Sequence, residues 1–588
     1  MKMAEERNTA VAVPVIIVWV AIVALYASQS EFEPVISFIF AMAMAPLFGM
    51  LYLMLSYNEV DAKGDKKSKL IGLKPITDKL PAVKKPEGHV HFRTKMMWTL
   101  LVLIVYFVMT NVFIYGVDKE KTLDLFSEYR AIMAGASGSL MHLGIGPIVT
   151  GSIIMQLFTG AKIIKLDLTK PEDKAIYQGT QKLLVIVMII VEAIPQVYGY
   201  LNPDLGFIEA LNGPTDGRGE LLANTIIILQ LFVGSYLVFF MDEVVSKWGI
   251  GSGISLFIAA GVSQAIFTGT ISWIPTESSK RYNISGAGDA PSGTIPKTLY
   301  LIGNSNVAQL SQGRLETVLL GPPNPVIALV GTIAIFLVVA YAESSRVELP
   351  LAHGRVRGAR GRYPIRLIYA SNIPVILMAA VLANINMFSL LLWSHPTASK
   401  IPLIGKQWWI GGFTDQDNPT QPTMGGAYYV SRVNGLQEWF LPLMNPERYG
   451  AYMRGHEYWQ VAAHTLIYFI VMVIGSIIFA RFWIDTTNMG PEAVAKQIQD
   501  SGMQIPGFRR DPRVLKKVLE RYIPVVTIIS GAFVGALAAL ADMVGTVGNT
   551  SGTGVLLTVG IVIRLYEDIG REQLIEMHPV LRGFFGGE

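Results

Sequence analysis

Runs of roughly twenty apolar residues, separated by short polar or basic stretches, recur along this chain, and each is long enough for an α-helix to cross about 30 Å of hydrocarbon. Helices are expected because a crossing segment must satisfy its own backbone N–H and C=O groups where water is absent. Twelve spans are read, near 11–28, 34–57, 95–115, 145–163, 179–201, 221–240, 251–272, 318–341, 364–392, 458–484, 521–542 and 551–567. One run breaks the pattern. Leu143 to Phe158 reads LGIGPIVTGSIIMQLF, with Gly144, Gly146 and Pro147 directly ahead of an apolar stretch. This predicts a helix broken near its start, and such a break at membrane depth must be buried in protein or line a cavity. Ile145 and Val149, four residues apart, are expected on one face, pointing into that cavity.

Composition agrees with a polytopic membrane protein. The chain has 588 residues, 51% hydrophobic and 16% charged, with mean hydropathy +0.43, against about 25% charged residues in a soluble domain. The first run, Val11 to Ala27, is too long for the apolar part of a signal peptide and lacks a convincing cleavage site. There is no Cys, which excludes disulfides and thiol chemistry.

The distribution of charge sets an expected orientation. A basic segment near 60–95 follows the second span directly, and short basic loops stay in the cytoplasm. Loop 342–363 carries Arg346, Arg355, Arg357, Arg360 and Arg362, and loop 485–520 carries Lys496, Arg509, Arg510, Arg513, Lys516 and Lys517. Both are read as cytoplasmic, as are both termini. The longer segments 273–317 and 393–457 then lie outside. Leaving out the first two spans, the outer segment 273–317 divides the remaining ten into five and five, the arrangement of an inverted repeat.

Several catalytic patterns fail on context. GASG at Gly135–Gly138 has no membrane-embedded His to activate Ser137, and GAGD at Gly286–Asp289 sits in a polar outer loop. GIGSG at Gly249–Gly253 lacks the lysine of a phosphate loop, and the His residues form no ligand pattern, so neither metal nor cofactor is expected. Polar residues inside spans are the better clue. Glu192 is read as the one clearly mid-span acid, and Asn372 and Thr150 are further intrusions. A proton- or ion-coupled transporter is the competing reading, but it calls for a partner charge near the midplane. The arginines of 353–364, interleaved with Gly354, Gly358 and Gly361, sit on what reads as flexible backbone and suit phosphates or an acidic surface.

The stretches LGIGPIVTGSIIMQL (143–157), DEVVSKWGIGSGISLFIAAGVSQ (242–264), VELPLAHGRVRGARGRYPIRLIYASNIPVIL (347–377) and SGTGVLLTV (551–559) resemble the SecY family, in its archaeal form, over residues from about 70 to 588. The resemblance implies an all-α protein with a ten-helix core in two inverted halves, to which residues 1–60 add a transmembrane hairpin. The expected divisions are that hairpin, a basic cytoplasmic segment 61–94, an N-terminal half 95–272, an outer hinge 273–317 and a C-terminal half 318–588. It implies a non-enzymatic channel for unfolded polypeptides that releases hydrophobic segments sideways into lipid. It also implies a pore ring at Ile145, Val149, Ile254, Ile258, Ile376 and Leu557, and a plug, a short helix, at 127–137, including Ser127, Ala131, Ala134, Ala136 and Ser137. The implied lateral gate has Thr150, Glu192 and Asn372; the implied ribosome contacts, reading rRNA phosphates, are Arg355, Arg357, Arg360, Arg509 and Arg510. Implied partners are the SecE/gamma and beta subunits in a heterotrimer, the translating ribosome, signal sequences, nascent chains and membrane lipids. The implied location is the cell membrane, and no cofactor is implied.

Overall fold

A computed structural model describes residues 57–60, 66–88, 90–118, 134–160, 164, 166, 170–199, 201–211, 218–280, 288–309, 313–353, 360–366, 372–394, 407–414, 421–453, 455–487, 489–500, 503–504 and 512–577. Among these, ten long helices fall on ten of the expected spans. They are α1 (Phe92–Asn111), α2 (Gly146–Gly160), α3 (Pro171–Gly199), α4 (Arg218–Trp248), α5 (Gly253–Ile271), α6 (Val326–Ser344), α7 (Ile373–Ser394), α8 (Tyr458–Thr486), α9 (Pro512–Val544) and α10 (Gly552–Met577). The spans expected at 11–28 and 34–57 lie outside the described residues.

Eight of the ten are long and apolar enough to cross a membrane; α2 and α10 are the exceptions. α10 is apolar only in its first half, and Arg564, Glu567, Asp568, Arg571 and Glu572 follow. α2 has 15 residues, about 22 Å at 1.5 Å per residue, which falls short of a full crossing. Turns at 134–145 precede it. Gly144 there adopts φ +54°, the left-handed region that glycine enters at little cost. Pro147 sits in the first turn of α2, where its missing N–H would have had no helical partner. The break read from LGIGP is therefore present, and the chain ahead of it is a compact turn.

Within the first five helices, α2 packs on α3, α3 on α4 and α1 on α4; within the second five, α8 packs on both α7 and α9, and α9 on α10. The two groups meet where α2 touches α7 and α8, and where α10 touches α5. The α8–α9 seam is tight because Gly531 and Gly535 present no side chain. A Cβ on Gly531 would sit 2.9 Å from the Ile477 Cα, and one on Gly535 2.8 Å from the Met472 carbonyl oxygen. This is the close packing a GxxxG pair allows. At one end of the bundle Lys95 Nζ lies 2.7 Å from Glu572 Oε1, joining the first helix to the last.

Ahead of α1, β1 (Tyr57–Val60) pairs antiparallel with β2 (Lys66–Ser68). Two regions between helices depart from the sequence reading. The described part of the first basic loop is strand: β3 (Arg346–His353) and β4 (Arg360–Arg366) pair antiparallel, with Arg360 opposite Ala352, while residues 354–359 lie outside the described residues. β3 also pairs with β5 (Met503–Gln504), which belongs to the second basic loop, so the two loops share one three-stranded sheet. The second departure is the helix Pro491–Asp500, which lays Val494, Ala495 and Ile498 against Leu515, Leu519 and Ile523 of α9.

Candidate functional site

The six positions expected to form a ring come from four separate stretches of chain, and all fall in or against the main apolar core. Ile145, Val149, Ile258 and Leu557 are buried members of the main core, and Ile254 and Ile376 pack against it half-buried. Val149 N–H donates to the Ile145 carbonyl at 3.0 Å, which stacks those two on one face of the start of α2. The first turn of α5 is fixed by Asp242 of α4, whose Oδ1 accepts the Ile254 N–H at 3.0 Å. Gly253 makes this possible, because a Cβ there would lie 2.5 Å from the Asp242 Cα.

A cavity of about 260 Å³ opens beside the ring. Ile376 and Leu557 are shared between its wall and the cluster, and Ser252, Asn372, Arg564 and Asp568 give it polar lining. It lies at the end of the bundle from which β3 and β4 emerge, since Asn372 immediately precedes α7 and Glu343 closes α6.

The turn at 134–145 packs against this cluster. Ala134 is buried at φ +49°, and its carbonyl accepts from the Tyr106 hydroxyl at 3.3 Å. Tyr106 in turn stacks on Phe257, the neighbour of Ile258 in α5, with ring centroids 5.0 Å apart. Ala136 N–H donates to the Met141 carbonyl, and Gly138 N–H to His142 Nδ1. Residues 134–137, including Ala136 and Ser137, are thus turn and not helix, which corrects the expected plug helix at that end. Ser127 and Ala131 lie outside the described residues.

The expected gate trio separates. Thr150 and Glu192 stay together: Glu192 is buried with its carboxyl beside the Thr150 hydroxyl. Asn372 does not join them. Its Nδ2 donates to Glu343 Oε1 at 3.2 Å, with Arg564 3.9 Å from the same oxygen, and Gly560 leaves the space for this contact. The residue of α7 that reaches Thr150 is Asn384, whose Nδ2 donates to the Thr150 Oγ1 at 3.3 Å. Twelve residues of helix, about 18 Å, separate it from Asn372. One turn on, Gln196 Nε2 of α3 approaches Met387 Sδ at 3.9 Å. Asn384 and Gln196 were signalled only as polar residues in apolar runs, and the SNIPVIL motif drew attention to the wrong asparagine.

Glu192 is also not the sole buried acid. Asp542, 2% exposed, accepts from the Tyr468 hydroxyl at 2.7 Å, the Gly552 N–H at 2.7 Å and the Thr553 hydroxyl at 3.0 Å, with Arg432 Nε 3.8 Å away. It therefore joins α8, the end of α9, the start of α10 and the segment 421–453 between α7 and α8. Glu243 of α4 is held by Lys182 and Lys247 and accepts the Val83 N–H at 2.8 Å. Both lie at helix ends, where a span boundary and a buried charge look alike in sequence. Of the basic positions, Arg360 lies in β4, while Arg355, Arg357, Arg509 and Arg510 lie outside the described residues.

Two groups of five helices, eight of the ten long and apolar enough to cross a membrane, packed around one apolar core with a partly polar cavity beside it, define a multi-pass membrane protein. The SecY family model matches residues 139–566, and that of the plug domain of Sec61p matches residues 104–138. A protein translocase subunit SecY from Archaeoglobus fulgidus is 45% identical over 517 residues, 88% of this chain and 98% of that protein. Two solved structures are similar at 39% identity, each covering 86% of this chain and 98% of the other. One is described as a protein conducting channel, with TM-score 0.65, and the other as Sec61 in the canine ribosome-channel complex from the endoplasmic reticulum, with TM-score 0.62. The chain belongs to the SecY family. It is a protein-conducting channel subunit of the Sec translocon and not an enzyme.

Proposed function

We propose that Ile145, Val149, Ile254, Ile258, Ile376 and Leu557 form the constriction through which an unfolded polypeptide threads. The observation that carries this reading is their convergence, from four distant stretches of sequence, on one apolar cluster with a polar-lined cavity at one side. A ring of branched side chains admits no stable water column and so blocks ions, yet it has no covalent closure and parts around a chain. The turn at 134–137, with residues 127–133 ahead of it, acts as the plug that seals the ring from outside. The matched plug region supports that reading.

The sideways exit runs between α2 and α3 on one side and α7 and α8 on the other. Its polar contacts are Thr150 with Asn384 and Gln196 with Met387. Such contacts hold two membrane helices together weakly, so a sufficiently apolar signal sequence replaces them with its own side chains. Ribosomes dock on the β3–β4–β5 sheet and its connecting loops, with Arg355, Arg357, Arg360, Arg509 and Arg510 on rRNA phosphates. The channel works in the cell membrane with both termini in the cytoplasm, beside a SecE/gamma subunit and a beta subunit. The likeness to a ribosome-bound channel supports the docking face.

A photoreactive group at Ile254 tests the threading path directly. It is expected to crosslink a stalled secretory nascent chain, whereas the same group at Leu337, 62% exposed on α6, is not. Equal crosslinking at both positions, or none at Ile254, would remove the ring from the path.

A further inference from the structure

The helix Thr294–Gly303, between α5 and α6, is amphipathic the wrong way round for water. Ile295, Leu299 and Ile302 share one helix face, and it is the outward one: they are 47%, 59% and 46% exposed. Lys297 and Leu301 lie on the opposite face and are buried. A surface helix in water turns its apolar stripe to the core and its charges outward. Here the one charged side chain of the helix points in, and its Nζ donates to the Gly321 and Pro323 carbonyls. The remaining polar side chains are likewise spent on carbonyls of the protein: Thr294 Oγ1 donates to Gly269, Thr298 Oγ1 to Thr294 and the Tyr300 hydroxyl to Gly288. The helix thus satisfies its polar side chains from within the protein, as a segment bordering lipid must.

Its place in the fold sets that face beside hydrocarbon. Gly293, just ahead of the helix, donates its N–H to the Ser272 carbonyl at 2.9 Å, and a Cβ there would sit 2.6 Å from the Ser272 N. Ser272 directly follows α5, and Gly321 and Pro323, which hold Lys297, shortly precede α6; both α5 and α6 are long and apolar enough to cross a membrane. The helix therefore starts level with the ends of two spans, at the end of the bundle opposite the β3–β4 pair. The neighbouring surface has the same open apolar character: Phe267 of α5, Val330 of α6, and Trp273 and Ile274 just after α5 are all more than half exposed. A tryptophan at a span end is the residue expected at a bilayer interface.

We propose that the helix Thr294–Gly303 lies in the lipid leaflet at this end of the bundle, with Ile295, Leu299 and Ile302 against acyl chains and Trp273 at the interface. The segment that joins the two groups of helices is then in part a membrane element, and lipid as well as protein bears on the joint between them. The proposal is independent of the ring and seam assignments.

The absence of cysteine lets single thiols report on this face. Leu299→Cys and Ile302→Cys, each in the full-length chain in opened native membranes, are expected to react several-fold more slowly with a charged maleimide than Asn306→Cys, which is exposed just beyond the helix. Reaction at Leu299→Cys and Ile302→Cys as fast as at Asn306→Cys overturns the proposal by placing the face in water. A photoreactive benzophenone side chain at Leu299, in the same membranes, separates lipid from protein as the occupant. Its main adduct is expected to be phospholipid, identified by peptide mass spectrometry. A main adduct with any protein, partner subunits included, overturns the proposal by giving the face to that partner. Lipid adducts no more frequent from Leu299 than from the same group at Asn306 overturn it as well.

Discussion

Asn384 and Thr150 are 234 positions apart in sequence, yet the Asn384 amide donates to the Thr150 hydroxyl at 3.3 Å across the junction of the two helix groups. The Thr150 hydroxyl spends its own proton on the Gly146 carbonyl at 3.0 Å, within α2. When the two part, the Thr150 donor stays paired within α2, and it is the Asn384 amide N–H that loses its acceptor.

This makes the seam adjustable in both directions. Asn384→Ala removes one hydrogen bond worth about 0.5–1.5 kcal/mol and is expected to let less hydrophobic signal sequences open the channel. The double variant Thr150→Val, Asn384→Leu replaces the polar pair with apolar contact and is expected to demand more hydrophobic signals. Translocation of reporters with graded leucine content checks both. A shift of the threshold in the same direction for the two variants would contradict the hydrogen bond's role.

Asp542 offers a stability test. Asp542→Ala removes the carboxylate that accepts from the Tyr468 and Thr553 hydroxyls and the Gly552 N–H and that faces the buried Arg432 guanidinium. Breaking a buried pair in this way costs about 3–5 kcal/mol. The variant is expected to unfold at clearly lower temperature in detergent, followed by tryptophan fluorescence, with Asp542→Asn partly restored because it keeps one acceptor oxygen. Equal melting of Ala and Asn variants would show that shape, not hydrogen bonding, matters there.

Lys297, in the helix Thr294–Gly303 between α5 and α6, gives a pH dependence. It is fully buried, its Nζ donates to the Gly321 and Pro323 carbonyls at 2.7 and 2.5 Å, and burial pushes its pKa down to about 8. Between pH 8 and the ordinary lysine value near 10.5, the unfolded chain holds a proton that the folded chain has released. Stability contributed by this group therefore rises with pH across that window, and below pH 8 the folded state bears the full cost of the buried charge. Melting temperature relative to Lys297→Met is expected to climb between pH 8 and 9.5. A flat difference would mean that Lys297 stays charged throughout.

The basic face is tested by salt. Arg360→Ala with Arg509→Ala is expected to weaken ribosome binding and to lower the steepness of its salt dependence by roughly one unit of log–log slope for each arginine taken off a phosphate. Co-sedimentation over a salt series measures this. Unchanged binding would leave the arginines as topology determinants alone.

The ten helices were legible because a long apolar run admits few alternatives in lipid, and the break in α2 because Gly144 and Pro147 name their own backbone geometry. The six positions proposed for the ring lie in distinctive stretches, and all of them fall in or against the main apolar core. What escaped depended on partners. Asn372 and Asn384 both interrupt the apolar run of α7, and only the opposing helix decides that one meets Glu343 and the other Thr150. Asp542 and Glu243 read as span edges until Tyr468, Gly552, Lys182 and Val83 arrive from elsewhere. The β3–β5 pairing is invisible for the same reason, since two residues of strand carry no periodicity.

That pairing has a mechanical consequence. β3 and β4 lie between α6 and α7, and β5 between α8 and α9, so the sheet is rooted wholly in the second group of helices. Whatever grips the sheet holds α6–α10 directly and reaches α1–α5 only where the two groups meet, so a docked machine has its grip on one half of the channel.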